Sequence, residues 1–157
     1  MTVSTAVDNP SGVTFETGGS LSIANGSTLT LASPGTMTNS SGSLVNMTSG
    51  SIAFSGLGIV NGGNAIGFNN LELNGSTTLT TTPTINGTLE IKAGGFLPSS
   101  TGPNYGASST LKYNTGGSYN RSNEWNASSG AGYPASVQIS RSEEHTSELQ
   151  SPCNLVC

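Results

Sequence analysis

Two carboxylates are placed where they could act together: Glu72 in Leu71-Glu72-Leu73 and Glu90 in Leu89-Glu90-Ile91. Each lies between apolar residues, so on a strand whose apolar neighbours face a core each carboxylate faces solvent. Stacked on adjacent strands, the two would approximate the paired acids that cleave glycosidic bonds or hold calcium. No third acid or arginine cluster supports such a site. A solvated strand glutamate accounts for the pattern, with Lys92 expected to pair with Glu90. A second set is aromatic: Tyr113, Tyr119, Trp125 and Tyr133. Exposed rings can form a platform on which sugars stack. The expectation favoured here is that these rings cap or thicken the core, with glycan contact as the competing role. Thr and Asn repeated on outward positions would give a polar, adhesive surface. Asn25, Asn46, Asn74, Asn86 and Asn126 each begin an Asn-x-Ser/Thr triplet, a glycosylation pattern that so Asn- and Ser-rich a chain also produces by chance.

The one histidine and both cysteines, His145, Cys153 and Cys157, lie in the last seventeen residues. There, Arg141-Ser142-Glu143-Glu144-His145-Thr146-Ser147-Glu148-Leu149-Gln150-Ser151 resembles a translated sequencing-library adapter, and Pro152 to Cys157 resembles its barcode and downstream read. That resemblance implies a non-native tail, coil or marginal helix, outside the folded body. Without it the body holds no imidazole or thiol, so Cys/His metal sites, disulfides and His-assisted nucleophiles lack their residues. No cofactor is expected. The body's charges are Lys92, Lys112 and Arg121 against Asp8, Glu16, Glu72, Glu90 and Glu124, or 3 − 5 = −2. Three scattered cations cannot track a phosphate backbone, which argues against nucleic acid as a partner.

The elements that would position these residues follow from composition and spacing. Only 8% of the chain is charged, and Gly, Ser, Thr and Asn dominate, which favours short strands and turns over helices. No apolar run reaches the roughly eighteen residues of a membrane span. Met1 to Thr5 lacks the charged start and apolar middle of a signal peptide. The apolar pairs Val13/Phe15, Leu21/Ile23 and Leu29/Leu31, then Met37, begin at 13, 21, 29 and 37, a step of eight that suits a strand plus a turn. Three such units make a coil of about 24 residues in a parallel β-helix. The fold class expected is all-β, a right-handed parallel β-helix over residues 13–140. An antiparallel β-sandwich is the alternative, with longer continuous alternation as its requirement. Asn25-Gly26, Asn61-Gly62, Asn74-Gly75 and Asn86-Gly87 are the expected corners. Leu71, Leu73, Leu89 and Ile91 should point inward, and Glu72 and Glu90 outward. Residues 1–12 are expected to be loose, and 98–140 form an aromatic-containing part of the body. One coil buries too little to offset the entropy of ordering it, so coils must stack.

The phrases Ile85-Asn86-Gly87-Thr88-Leu89-Glu90-Ile91 and Ser109-Thr110-Leu111-Lys112-Tyr113-Asn114-Thr115-Gly116-Gly117-Ser118-Tyr119-Asn120-Arg121-Ser122-Asn123-Glu124-Trp125, followed by Gly132-Tyr133-Pro134, resemble large bacterial secreted or cell-surface proteins of β-helical repeats that often end in a secretion-sorting domain. The resemblance covers residues 13–140. It implies an extracellular or cell-surface location and a structural or adhesive role without catalysis. It also implies surface glycans or other cell-surface components as partners, and a further strand from Val137-Gln138-Ile139. The alternative is a carbohydrate-binding or polysaccharide-degrading β-helix. An open last rung would allow end-to-end self-association.

Overall fold

The computed structural model describes the backbone of residues 2–3 and all of residues 10–98, 101–125 and 128–140. The expected tail, 141–157, lies outside the described residues, as does Asn126. Within them the chain winds as a parallel β-solenoid of about six coils. β1 (Thr2–Val3) lies one rung before the first coil, which holds β2 (Gly12–Phe15) and β3 (Ser22–Ile23), the strand stacked on β1; the next holds β4 (Thr28–Leu31), β5 (Gly35–Asn39) and β6 (Val45–Asn46). Then come β7 (Ser51–Phe54), β8 (Gly58–Gly62) and β9 (Ile66–Phe68), followed by β10 (Asn70–Leu73), β11 (Thr77–Leu79) and β12 (Thr84–Ile85). Beyond these lie β13 (Thr88–Lys92), β14 (Asn104–Tyr105), β15 (Thr110–Asn114), a 3-10 turn at Asn123–Trp125, and β16 (Ser136–Ile139).

Three faces result. A long sheet runs β4-β7-β10-β13-β15-β16, a second runs β2-β5-β8-β11, and a third runs β6-β9-β12-β14, with β1 and β3 paired separately. Every pairing among the described residues is parallel, so the antiparallel sandwich does not hold. Part of the segment expected to be loose is structured, since Thr2–Val3 pairs with Ser22–Ile23 and Gly12 already belongs to β2.

Register on the long sheet is fixed by two inward columns: Leu29, Ile52, Leu71, Leu89, Leu111 and Val137, and Leu31, Phe54, Leu73, Ile91, Tyr113 and Ile139. Leu71, Leu73, Leu89 and Ile91 are buried as expected, while Glu72 and Glu90 alternate outward. The columns are buried up to Tyr113, while Ile139 on the last strand is exposed, and a slip of one residue would expose the buried members of both, which is why pairing is so uniform.

The uniform 24-residue coil holds only at the start. Val13 pairs with Met37, a step of 24, but Ile52 pairs with Leu71 and Leu71 with Leu89, steps of 19 and 18. The turn from the long sheet to the second sheet stays at three residues in coils two to four (32–34, 55–57, 74–76). The shortening is shared by the other two corners: between the second and third sheets residues 40–44 give way to 63–65 and then 80–83, and at the return to the long sheet residues 47–50 give way to Asn69 alone and then to 86–87. Sheet register is thus preserved while corners vary. The expected Asn-Gly corners fall at turns or strand ends, and Gly62 has φ +119° with its backbone against that of Asn39. Asn39 is itself an inward, fully buried polar residue. Its amide donates to the carbonyls of Ser43 (2.9 Å) and Ala65 (2.8 Å), and its Oδ1 accepts from Ser41 N and Oγ, so the corner is satisfied without water.

Candidate functional site

The outer surface of the long sheet is built by the alternation that buries the leucines. One outward row reads Ala53, Glu72, Glu90, Lys112 and Gln138 on successive rungs. Beside it lie Ser51, Asn70, Thr88 and Thr110, and apart from the buried Ala53 the two rows line an open groove of about 350 Å³. Glu72 and Glu90 are registered partners on adjacent rungs, so the structure brings the two sequence-predicted carboxylates side by side. Neither is free. Lys92 Nζ meets Glu72 at 2.8 Å and Lys112 Nζ meets Glu90 at 3.0 Å. Asn74 donates to Glu72 at 2.9 Å and Asn114 to Glu90 at 3.0 Å.

The expected Lys92–Glu90 pair is therefore corrected: Lys112 stands directly opposite Glu90 on the next rung and captures it, and the flexible Lys92 reaches diagonally to Glu72. Partial burial pushes the Glu90 carboxyl up, but the hydrogen bonds from Asn114 and Lys112 and the charges of Lys112 and Lys92 outweigh that and hold it below its ordinary value. An acid held ionised beside a second paired acid is poorly placed to donate a proton to a leaving group. Among the described residues no group of three or more His, Cys, Asp or Glu gathers where it could hold a metal ion.

The aromatic residues are assembled differently from a flat platform. Tyr113 is the fifth member of an inward column and only 6% exposed, so it belongs to the core. Tyr119 packs on it with ring centroids 5.1 Å apart, and Trp125 lies 6.4 Å from it. Tyr133 is 52% exposed and makes none of these ring contacts. The structure thus brings three of the four sequence-predicted aromatic residues together at one end of the solenoid and leaves the fourth outside.

A residue that sequence reasoning passed over organises this end. Glu124, on the 3-10 turn, is fully buried. Its Oε1 accepts from the Tyr113 hydroxyl (3.0 Å) and from Ser122 N (2.8 Å), and its backbone carbonyl accepts from the Tyr105 hydroxyl (2.8 Å). Two coils therefore grip one residue. Glu124 Oε2 is buried without a hydrogen bond of normal geometry. Burial, followed by the neighbouring Glu124 charge, raises the hydroxyls of Tyr105, Tyr113 and Tyr119 above the usual tyrosine range and keeps them protonated. The signal in the sequence was the position of Glu124, the lone acid inside the stretch that holds every tyrosine and the only tryptophan.

On the outer side of this cluster Tyr119, Trp125, Arg121 and Ile139 line a hollow of about 230 Å³. The Arg121 guanidinium lies over the Trp125 ring, 5.8 Å from its centroid, and donates to the Trp125 carbonyl. No protein-family model matches the chain, and no curated protein or solved structure matches it either.

Proposed function

We propose that the chain is a structural and adhesive repeat segment of a bacterial secreted or cell-surface protein, without catalysis of its own. The observation that carries this reading is the commitment of the outer carboxylates: Glu72 and Glu90 are each held by a lysine and an asparagine. Side chains arranged this way tie one coil to the next and present a polar, nearly neutral ladder to the surroundings. Apart from Ala53 and Gln138, serine, threonine and asparagine fill the remaining outward positions of the same sheet, giving many weak hydrogen-bonding groups at rung spacing. Such a surface suits repeated weak contacts, with avidity from repetition.

A polysaccharide-degrading β-helix is the competing reading, and the neighbouring Glu72 and Glu90 are the observation that favours it. The two separate in one experiment. Beads carrying the chain are incubated with acidic and neutral polysaccharides, and both retention and new reducing ends are measured. Retention without new chain ends is expected. Depolymerisation that disappears in the Glu72→Gln/Glu90→Gln variant would overturn the adhesive reading in favour of an enzyme.

A further inference from the structure

We infer that the hollow bounded by Tyr119, Arg121, Trp125 and Ile139 binds a carboxylated pyranose, a uronic-acid residue of an acidic polysaccharide. The inference rests on the adhesive reading and names its ligand class. Three observations converge on that chemistry. The Tyr119 ring, the Ile139 side chain, 64% exposed, and the part of Trp125 that lines the hollow beside the overlying Arg121 give an apolar floor of the kind that the C–H face of a sugar covers. The volume, about 230 Å³, is below that of drug-sized clefts and suits one sugar ring in a longer chain. At the rim stands Arg121. Among the described residues it is the one cation without a carboxylate partner, since Lys92 and Lys112 are each spent on a glutamate.

The guanidinium is held in place rather than left to wander. It lies over the Trp125 ring and one N–H is fixed by the Trp125 carbonyl, which leaves further donors of its planar fork for a bidentate carboxylate. The floor is rigid for a separate reason, because Glu124 ties the turn to Tyr113 and Tyr105. Little ordering is then left to be done on binding. Thr115 is not a further specificity group, since its hydroxyl already donates to the Gly117 carbonyl at 2.9 Å.

Trp125 is the only tryptophan of the chain, so its fluorescence reports the hollow directly. The full chain is titrated with a uronic-acid trisaccharide, with the same trisaccharide carrying esterified carboxylates, and with an acidic peptide of equal charge. The expected result is a saturable change in Trp125 emission, an affinity at least about tenfold weaker for the ester, and no binding of the peptide at comparable concentration. Arg121→Gln should abolish the preference for acid over ester. Its exposed position leaves the fold intact, checked by an unchanged unfolding midpoint. Equal affinity for acid and ester, an unaltered preference in Arg121→Gln, peptide binding as tight as sugar binding, or no binding at all would overturn the proposal. Retention of the wild-type chain on polysaccharide beads is scored in parallel. Retention without uronate preference sinks this inference alone, and loss of all retention sinks the adhesive reading as well.

Discussion

Asn46 and Asn86 sit two coils apart, and their side chains meet in a 3.1 Å hydrogen bond that passes the bare backbone of Gly67. A Cβ at residue 67 would run into Asn46 Oδ1. The missing side chain in the middle coil is what lets the outer two reach each other.

Gly67→Ala should therefore destabilise the chain by about 1 kcal/mol, the scale of one displaced hydrogen bond plus local adjustment. The diagnostic is rescue. In an Asn46→Ala background the same substitution should cost close to nothing, because the atom it strikes is gone. Urea unfolding of the four proteins gives the cycle, and equal costs in both backgrounds would show that the clash lies elsewhere.

The ion ladder predicts an acid-side loss of stability. Because the folded Glu90 carboxyl is the stronger acid, the stability it contributes is fully present above its ordinary value of 4.5 and disappears as pH falls through the lower folded value. Lys112→Met should flatten that part of the stability profile. At neutral pH the same change should cost no more than about 1 kcal/mol, since both side chains keep contact with water.

At the alkaline side the buried tyrosines dominate. Tyr105, Tyr113 and Tyr119 ionise less readily in the folded chain, so the stability they contribute is intact below their ordinary value of 10.0 and is lost as pH rises above it. Tyrosinate absorbance from these three should appear together with loss of the fold. Their ionisation in a chain that still shows its native circular dichroism would contradict the packing of this end.

Glu124 should matter more for stability than any outward acid. Glu124→Ala leaves the Tyr113 hydroxyl and Ser122 N without their acceptor, at a cost of about 2 to 4 kcal/mol, whereas Glu72→Ala should cost under about 1 kcal/mol. Thermal unfolding of both variants ranks them, and the reverse order would remove Glu124 from its place as organiser of the aromatic end.

Much of the fold is legible in the sequence because the inward columns are written as alternating apolar pairs, and Leu71, Leu73, Leu89 and Ile91 obey the alternation without exception. The coil length is less legible. Corners carry no column of their own, so residues 47–50 and Asn69 can do the same job at different lengths. The salt-bridge partners are hidden from the sequence because Glu90 and Lys92 are neighbours on one strand, while the decisive neighbour, Lys112, is brought opposite only by the next rung. Asn39 and Glu124 read as surface residues by type. Both are buried because the corner or loop around them supplies all the hydrogen bonds that water would have given, apart from Glu124 Oε2.

Parallel register with Glu72 beside Glu90 underlies the ion ladder, the groove and the aromatic end alike, and paired cysteines test it directly. With Cys153 and Cys157 replaced by serine, Glu72→Cys/Glu90→Cys places two thiols on registered partners about 4.8 Å apart, within disulfide reach. Glu72→Cys/Thr88→Cys places them on a diagonal, outside it. Mild oxidation of the native protein, read by mass spectrometry of proteolytic fragments, should cross-link the first pair within one chain and leave the second reduced. Cross-linking of the diagonal pair while the registered pair stays reduced would contradict the stacking on which the rest depends.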